Sequence, residues 1–463
     1  MKISVIGCGY LGAVHAATLA SMGHSVVGID VDVAKVEHLG RGTAPFYEPG
    51  LDELLQDGRT TGRLTFSTDF SDAAGAQVHF LCVGTPQSKT SDGADLTYLV
   101  SATEALLPHL ARGAVVVGKS TVPVGTVEML HGILSRRPDV LVGWNPEFLR
   151  QGTAVKDSLV PDRLVYGVEG GSTRAFNAST GAPLAVTAVL DAVYEPLLNA
   201  GIPRVVCSFA TAELIKSASN AYLATKVSFI NAISELCDAS GADVAELGEA
   251  MGMDPRIGSR YLHAGLGFGG GCLPKDIRSF RAQAAGLGVS SVDDWMGLVD
   301  AINLGQRTRT VALARELCGE LAGRSVTVLG ASFKPDTDDI RDSPALDVAS
   351  RLAEAGAHVT VTDPKAVNHA WMRYPRLRFE TSTLKALQGA ELVLLLTEWD
   401  EYRLLSPAVA GATVRRRVVL DARNVLDAAA WQAEGWTVRG LGTNGLGTNG
   451  LNAEVRLPEM RNS

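Results

Sequence analysis

A single cysteine, Cys272, stands between a glycine run and a Pro-Lys-Asp triplet in the segment GFGGGCLPKD, residues 267–276. Glycines let a backbone pass close to a ligand, and a nearby cation such as Lys275 favours the thiolate form of a cysteine. The segment alone is open to three interpretations: a phosphate-binding loop, the loop of a nucleophilic cysteine, or a turn in which Cys272 is only a small packed residue.

A second polar pair lies in the segment ELIKSASNAYLATK, residues 213–226. Lys216 and Asn220 are four residues apart, so on a helix they share one face and can direct a cation and an amide at the same atom. Such a pair suits a developing oxyanion. Polar residues also interrupt KSTVPVGT (119–126) and NPEFLRQG (145–152). Taken singly, lysines and acids of this kind are equally typical of solvated surface.

The N-terminus carries a dinucleotide-binding pattern. GCGYLG places Gly7, Gly9 and Gly12 in GxGxxG spacing, directly after the apolar run ISVI and before a helix-forming segment. Backbone N–H groups at the helix N-terminus would then face a pyrophosphate. Asp30 closes the next apolar run, where an acid binds the adenosine ribose and repels a 2′-phosphate. NAD is therefore predicted over NADP. A turn without a ligand is the alternative, and an FAD site lacks a second signal.

Short apolar runs separated by helix-length segments predict a parallel βαβ sheet. They lie at 3–6, 25–29, 78–83, 114–118 and 140–143. Residues 204–240 contain neither Gly nor Pro and predict one long helix, about 45 Å for thirty residues. The strand rhythm resumes at 325 and predicts a second α/β domain, whose VLGASFKP segment has only one glycine.

The predicted fold class is therefore α/β, with two Rossmann-like, doubly wound parallel-sheet domains. A long central helix and a small helical dimerisation domain join them. We expect a dinucleotide-binding domain over 1–203, a central helical domain over 204–305, a second Rossmann-like domain over 306–440 and a flexible tail over 441–463. The tail contains the repeat LGTNGLGTNG, which offers little apolar surface to bury.

Composition excludes several classes of function. The 463 residues carry a net charge of −8, which would repel nucleic acid and acidic membranes, so neither partner is expected. The six cysteines lack the close spacing of a metal or redox pair, so no metal is expected and a reducing, cytoplasmic location is predicted. The N-terminal apolar stretch resembles a signal peptide, but His15 and Thr18 interrupt it.

Together these motifs resemble the UDP-glucose/GDP-mannose dehydrogenase family, most closely its UDP-glucose branch. The resemblance extends to about residue 440 and rests, in order, on GCGYLG, FYEPGLDELL, VGTP, DGADLTYL, KSTVPVGT, NPEFLR, PDRLVYG, NAYLATKVSFIN, GFGGGCLPKD, FKPDTDDIRDSPA, TDP and DARN. It implies oxidation of the sugar C6 alcohol to a carboxylate with two NAD+ consumed, giving UDP-glucuronate for polysaccharide or sugar-nucleotide synthesis.

The resemblance implies that Cys272 is a nucleophile. After a first hydride transfer the product is an aldehyde. Thiolate addition gives a thiohemiacetal whose C–H bond can be oxidised again to a thioester, which water then cleaves. Lys216 and Asn220 would stabilise the oxyanions along this path. The resemblance also implies that Asp276, with Thr121 and a water, moves the first proton, and that Glu147 is the base for thioester hydrolysis.

The implied binding residues fall into two sets. For the cofactor NAD they are Gly7, Gly9, Tyr10, Leu11, Gly12, Asp30, Lys35, Thr85, Thr121 and Lys275. For the nucleotide sugar they are Glu147, Phe148, Leu149, Arg150, Lys216, Asn220, Arg256, Phe268, Gly269, Lys334 and Arg423. Arg256 matches a family arginine that reaches the neighbouring subunit's substrate, so a homodimer or higher homo-oligomer is expected.

Three positions depart from the family pattern. Gln151 and Ala232 stand where glutamate is common, and Gly271 where serine is common. Gln151 cannot take a proton, so the role of hydrolytic base falls more heavily on Glu147.

Three other functions stay open: the same chemistry on GDP-mannose or a UDP-N-acetylhexosamine, a two-electron β-hydroxyacid-type dehydrogenase, and a catalytically inactive nucleotide-binding scaffold. The β-hydroxyacid type has no use for a nucleophilic cysteine, so the yield of NADH per substrate separates it from the family reaction.

Overall fold

Two β-sheets form the centres of two α/β domains in the computed structural model, which describes residues 1–171 and 185–443. In the described chain the strands are β1 (Lys2–Ile6), β2 (Ser25–Ile29), β3 (Leu64–Ser67), β4 (Val78–Leu81), β5 (Val115–Gly118), β6 (Leu141–Trp144), β7 (Leu164–Val168), β8 (Arg204–Ser208), β9 (Ser325–Leu329), β10 (His358–Thr362), β11 (Arg378–Phe379), β12 (Leu392–Leu395), β13 (Val418–Asp421) and β14 (Thr437–Gly440).

The helices of the described chain surround the sheets and fill the space between them. They are α1 (Tyr10–Ser21), α2 (Val33–Gly40), α3 (Leu51–Thr60), α4 (Thr97–Leu106), α5 (Thr126–Leu134), α6 (Ala154–Leu159), α7 (Ala185–Val193), α8 (Glu195–Asn199), α9 (Phe209–Ser240), α10 (Val244–Gly252), α11 (Leu273–Gly286), α12 (Ser290–Cys318), α13 (Pro344–Glu354), α14 (Val367–Arg373), α15 (Thr383–Leu387), α16 (Asp400–Arg403), α17 (Pro407–Gly411) and α18 (Ala428–Ala433).

Both sheets have the Rossmann strand order. The first runs β3-β2-β1-β4-β5-β6-β7-β8 and the second β11-β10-β9-β12-β13-β14. In each, the order reverses between the first strand and its far neighbour, β1 against β4 and β9 against β12. Ligands of such sheets bind at the carboxyl ends of the strands beside this switch point. The predicted pair of Rossmann-like domains is confirmed.

One pairing departs from the predicted parallel arrangement. β7 runs antiparallel to β6, and β8 then pairs parallel with β7. The central strands are almost fully buried on both faces, as in β4, β5 and β12. This explains why their sequences read as continuous apolar runs, which are recognisable. Strands β3, β7, β8, β11 and β14 were not predicted; all except the buried β7 are partly exposed.

The long helix begins five residues later than predicted. Residues Arg204–Ser208 form β8 at the edge of the first sheet, and Ser208 then caps α9 by accepting a hydrogen bond from the Thr211 N–H. β-Branched valines in this stretch favour a strand. A second long helix, α12, spans 29 residues and crosses the predicted boundary at 305, so it leads directly into the second sheet.

The Cys272 loop lies where the central helices meet the second domain. The Leu266 N–H donates to the Ala422 carbonyl at 2.8 Å, which attaches the loop to the end of β13. Asn303 of α12 holds both backbone groups of Phe268: its Oδ1 accepts from the Phe268 N–H at 2.7 Å, and its Nδ2 donates to the Phe268 carbonyl at 3.0 Å. Asn303 is only 1% exposed.

The packed chain extends slightly into the predicted tail. Leu441 is fully buried, and the Gly442 carbonyl accepts a hydrogen bond from the Val244 N–H at 2.9 Å. The rest of the predicted tail, 444–463, lies outside the described residues.

Within the described ranges, no helix combines the length and the apolar character that a membrane crossing requires.

Replacing Asn303 by alanine should destabilise the protein by about 2–4 kcal/mol, because the buried N–H and carbonyl of Phe268 would lose their partner. Urea unfolding measures this change. The matched control is Glu316→Ala at an exposed position of the same helix, with an expected change within about 0.5 kcal/mol. Equal effects of the two substitutions would contradict the role assigned to Asn303.

Candidate active site

The GxGxxG turn has the geometry that each glycine position requires. Gly7 has a φ of +88°, which favours glycine. A Cβ on Gly12 would lie 1.8 Å from the Gly7 carbonyl oxygen, so no other residue fits there. A Cβ on Gly9, just before α1, would meet nothing within 4 Å. Gly9 therefore borders open space at the helix N-terminus, which fits a pyrophosphate.

Asp30 lies at the end of β2, beside this turn. One carboxylate oxygen accepts from the Cys8 N–H at 2.8 Å and pairs with Lys35 Nζ at 2.8 Å, and the other accepts from the Asp32 N–H at 3.0 Å. The carboxylate is thus fixed but keeps acceptor capacity for a ribose hydroxyl. Val31 and Val33, which follow Asp30 in the chain, are exposed, and neither was predicted as a site residue.

The other expected cofactor residues hold the neighbouring loops. The Tyr10 hydroxyl donates to Glu48, whose carboxylate also accepts from the N–H groups of Gly152 (2.6 Å) and Ala154 (2.7 Å). Leu11 packs against the core. Tyr10 therefore connects α1 with the end of the NPEFLRQG segment. Glu48, which was not predicted as a site residue, lies within the quoted motif FYEPGLDELL.

Thr85 and Thr121 join the loops that follow β4 and β5. The Thr85 hydroxyl donates to the Thr121 carbonyl at 2.7 Å. The described contacts of the Asp276 carboxylate are with Asn220 and Lys275, not with Thr121. Glu213 of α9 also holds this region, because it accepts from the N–H groups of Gly125 (2.9 Å) and Val127 (2.7 Å) at the start of α5.

Four expected catalytic residues meet around Cys272. Lys216 Nζ pairs with Glu147 Oε1 at 2.9 Å, and Asn220 Nδ2 donates to Asp276 Oδ2 at 2.7 Å. Lys275 Nζ pairs with Asp276 Oδ1 at 2.7 Å. Lys216 and Asn220 thus share one face of α9, as predicted from their spacing, and each contacts an acid from a different segment.

The Cys272 residue is open to solvent, yet protein groups crowd its sulfur. The pKa of the thiol is raised, mainly because burial removes water from it. The negative charges of Asp276 and Glu147 raise the pKa further. Lys216 and Lys275 lower the pKa, but by less. Lys275 therefore favours the thiolate as expected, although the net shift is upward.

Lys216 is buried but stays charged. Desolvation, the largest single cause, lowers the pKa of its ammonium group, but Glu147, Asp276 and Cys272 together outweigh it, so the pKa is raised. At neutral pH this buried cation interacts electrostatically with the Cys272 thiol. Such a cation can stabilise negative charge that develops on a substrate oxygen.

A buried polar network holds Glu147 in place. Asn145, two residues earlier, accepts from Lys119 Nζ at 2.9 Å and from the Tyr194 hydroxyl at 2.6 Å, and donates to the Val165 carbonyl at 2.9 Å. Burial lowers the pKa of Lys119 to about 8. Neither Asn145 nor Lys119 was predicted as a site residue, although Lys119 begins the segment KSTVPVGT and Asn145 begins NPEFLRQG.

The remaining residues of the NPEFLRQG segment lie beside this network. The Leu149 N–H donates to Glu147 Oε2 at 2.8 Å. Two cations lie near the Phe148 ring: Arg163 Cζ is 3.9 Å and Lys216 Nζ 5.7 Å from the ring centroid. Arg150 instead pairs with Asp157 at 2.7 Å on the exposed side.

The second domain contributes cations at the carboxyl edge of its sheet. Arg423 donates to the carbonyls of Leu396 (2.8 Å) and Gly267 (3.1 Å) and pairs with Glu398 at 3.2 Å. It thereby fastens the Cys272 loop to β12. Lys334 follows β9, and the pKa of its ammonium group is lowered, mainly by burial.

Two expected substrate residues differ in placement. A Cβ on Gly269 would lie 2.2 Å from the Asp342 carbonyl oxygen, so this glycine permits close contact with the second domain. The Arg256 side chain is 87% exposed and pairs with Asp254 in its own loop. The described contacts do not bring Arg256 to Cys272 of the same chain.

The second sheet has an acid, Asp363, where the first has Asp30. Its Oδ2 accepts from the N–H groups of Ala331 (2.8 Å) and Ser332 (2.9 Å) and from Trp399 Nε1 (3.1 Å), and its Oδ1 from two further N–H groups. Asp363 has no capacity left for a ribose. This explains why a second Rossmann-like sheet need not be a second dinucleotide site.

Within the described ranges, no cluster of His, Cys, Asp and Glu has the arrangement of a metal site.

Comparison with known proteins identifies the family of this chain. Three models of one family match the chain: the NAD binding domain at residues 1–197, the central domain at 210–304 and the UDP binding domain at 327–428. The chain belongs to the UDP-glucose/GDP-mannose dehydrogenase family. NAD is its cofactor, and the open space at Gly9 together with Asp30 fits that group.

Individual relatives of this family member cover nearly its whole length. A UDP-glucose 6-dehydrogenase of Rhizobium meliloti is 39% identical over 92% of this chain and 95% of its own. The structure of a UDP-glucose dehydrogenase from Pyrobaculum islandicum has 36% identity and a TM-score of 0.85, covering 96% and 98% of the two chains. That of a UDP-D-ManNAc dehydrogenase from Pyrococcus horikoshii has 26% identity and a TM-score of 0.81, covering 96% and 100%.

Gly9→Ala should leave the thermal midpoint of this dehydrogenase unchanged, because the added methyl group meets no protein atom within 4 Å. NAD affinity should fall about tenfold or more, since the methyl group would occupy the space next to the pyrophosphate. Calorimetric titration and thermal unfolding measure the two effects.

Gly12→Ala is the matched contrast and should lower stability itself, because its Cβ would overlap the Gly7 carbonyl. Unchanged NAD affinity in Gly9→Ala would contradict the assignment of this space to the cofactor.

Proposed function

We propose that this chain oxidises the C6 alcohol of UDP-glucose to the carboxylate of UDP-glucuronate. The observation that carries this proposal is the accessible Cys272 beside the buried cation Lys216, between an NAD-binding sheet and a domain of the UDP-binding type. The relatives named UDP-glucose 6-dehydrogenase support UDP-glucose as the substrate.

NAD+ supplies a hydride acceptor for each of the two oxidations. In the first, the alcohol loses a hydride and a proton and becomes an aldehyde. The Cys272 thiolate then adds to the aldehyde carbon, and the oxygen takes up a proton to give a thiohemiacetal. Loss of a second hydride and a proton gives a thioester. Water cleaves the thioester to the carboxylate and restores the thiol.

Lys216 and Asn220 are the proposed stabilisers of the alkoxide and thiohemiacetal oxygens. Both are buried, both lie on one helix face, and the pKa of Lys216 is raised, so its charge persists where water is largely excluded. Their present partners, Glu147 and Asp276, hold them in place with bonds of 2.9 and 2.7 Å.

Asp276 and Glu147 are the proposed proton acceptors. Asp276 would act through a water with Thr121 in the first step, and Glu147 would activate the water that cleaves the thioester. Glu147 is suited to this role because it contacts Lys216, which also faces Cys272, and because the Asn145 network fixes the backbone two residues before it.

The cations Lys334 and Arg423 are the proposed diphosphate contacts, since charge there offsets the repulsion expected from an acidic protein. Arg423 already fastens the Cys272 loop through the Gly267 carbonyl. Binding of a diphosphate beside Arg423 would therefore act directly on the loop that carries the nucleophile.

We further propose that the protein is a dimer in which α9 pairs with its copy. Tyr222, Phe229 and Leu236 recur at seven-residue spacing on α9 and are 57%, 44% and 62% exposed. Such a stripe is typical of helix pairing. The exposed Arg256 would then be available to the other subunit's substrate.

We also propose a reducing, cytoplasmic location, which the six free cysteines support.

UDP-glucose turnover should yield two NADH per sugar and a carboxylate product, measured by absorbance and mass spectrometry. Cys272→Ser should lower the overall rate by roughly 10³-fold or more, because an alcohol is a much weaker nucleophile than a thiolate. Cys207→Ser, at a half-buried position away from the site residues, is the control and should keep the rate.

One NADH and a stable carbonyl product would favour the β-hydroxyacid type of reaction. Absence of turnover with UDP-glucose, GDP-mannose and UDP-N-acetylhexosamines, together with unchanged ligand binding in Cys272→Ser, would favour a scaffold.

Phe229→Glu should convert the dimer to a monomer, because it would place two like charges in an apolar interface. Light scattering after size-exclusion chromatography measures the mass. Leu404→Glu, at an 84% exposed position in the second domain, is the matched control and should leave the mass unchanged. A wild-type mass of one chain at micromolar concentration would overturn the dimer proposal.

A further inference from the structure

Two of the residues that depart from the family pattern, Gln151 and Gly271, contact the same short segment of the second domain. Gln151 Nε2 donates to Asp339 Oδ2 at 3.1 Å. A Cβ on Gly271 would lie 2.3 Å from Arg341 Cζ and 2.5 Å from its Nη1. Asp339 and Arg341 form an ion pair with each other. The two departures are thus joined through one carboxylate and one guanidinium group.

Arg341 is held at several points. Its Nε donates to both Asp339 oxygens at 3.0 Å, and its own carbonyl accepts from the Gly270 N–H at 3.0 Å. The Asp339 side chain is only 10% exposed. The guanidinium group therefore lies against Gly271, one residue before Cys272, while the backbone of Arg341 is attached to the same loop.

Space explains the glycine at 271 better than backbone conformation does. Gly270 has a φ of +86°, which favours glycine, but Gly271 is not among the residues with positive φ. A serine at 271 would fit the backbone and collide with the guanidinium group, which would have to move. A glutamate at 151 would bring a second carboxylate to the Asp339 oxygen that Gln151 now contacts, and the two negative charges would repel.

Four charged groups act on the pKa of the Cys272 thiol: Asp276 and Glu147 disfavour the thiolate, whereas Lys216 and Lys275 favour it. Arg341, from the second domain, adds a cation beside this group. Its side chain is 57% exposed, its guanidinium group lies against Gly271, and it interacts electrostatically with Cys272.

We propose that Arg341 is a positioning residue that stabilises the Cys272 thiolate, and that Gln151 and Gly271 are the matched residues that hold it and make room for it. The proposal rests on the proposed function, in which Cys272 is the nucleophile. Gln151 belongs to the first domain and Arg341 to the second. Contact between the domains at Gln151 and Asp339 therefore favours the reactive form of the cysteine.

The test is the rate of Cys272 alkylation by iodoacetamide between pH 6 and 10, followed by peptide mass spectrometry on the full-length protein. Arg341→Gln should slow alkylation at pH 7.5 by about threefold to tenfold and move the profile to higher pH, because one favourable charge is lost. Arg341→Lys should keep most of the wild-type rate.

Gln151→Glu and Gly271→Ser should shift the profile in the same direction by smaller amounts. Adding either substitution to Arg341→Gln should produce little further change, because both act through Arg341. Arg324→Gln is the control: it removes a cation of the second domain that pairs with Glu391 at 2.9 Å, and it should leave alkylation unchanged.

An unchanged pH profile in a folded Arg341→Gln variant would overturn the proposal, as would full additivity of Gln151→Glu with Arg341→Gln. Alkylation is measured without turnover, so this result is separate from the fate of the proposed function. If Cys272→Ser kept the yield of two NADH, the proposed function would fail whatever the alkylation profile of Arg341→Gln.

Discussion

The buried ion pair between Lys216 and Glu147 is the contact on which the geometry of the site depends. It joins α9 to the loop after β6 across 2.9 Å in surroundings where both side chains are largely removed from water. Breaking one side of such a pair leaves an uncompensated charge in a poorly solvated place, which is costly. The polar network around Asn145 and the cap that Glu213 provides for α5 both hold segments adjoining this pair. These hydrogen bonds fix the loops after β5 and β6 in position relative to α9.

From this contact the site extends to all three parts of the chain. Asn220 and Asp276 connect α9 to α11, and Asn303 connects α12 to the Cys272 loop. Arg423 and Arg341 bring the second domain onto that loop. The reactivity of the cysteine is therefore set partly by neighbours from distant parts of the sequence, such as Glu147 and Lys216.

Much of the fold was predictable from sequence because strands buried on both faces appear as apolar runs, and GxGxxG followed by Asp30 has a distinct spacing. β8 was missed because its half-exposed residues lie in a stretch without Gly or Pro that continues into α9, and the buried β7 was not predicted either. Lys216 and Asn220 were predicted to share a face from their spacing alone. Asn145, Glu48, Glu213 and Arg341 were not predicted as site residues, because an isolated polar residue does not reveal whether it is solvated or buried. The connection between Gln151 and Gly271 required three-dimensional proximity.

The length of α9 has a consequence for how such an enzyme can change. The helix carries Lys216 and Asn220 toward the nucleophile, and the stripe of Tyr222, Phe229 and Leu236 on its exposed surface. Inserting or deleting one residue between these groups would rotate one set against the other by about 100°. Substitutions are therefore tolerated along this helix far more readily than changes of length, and chimaeras between relatives should exchange it whole.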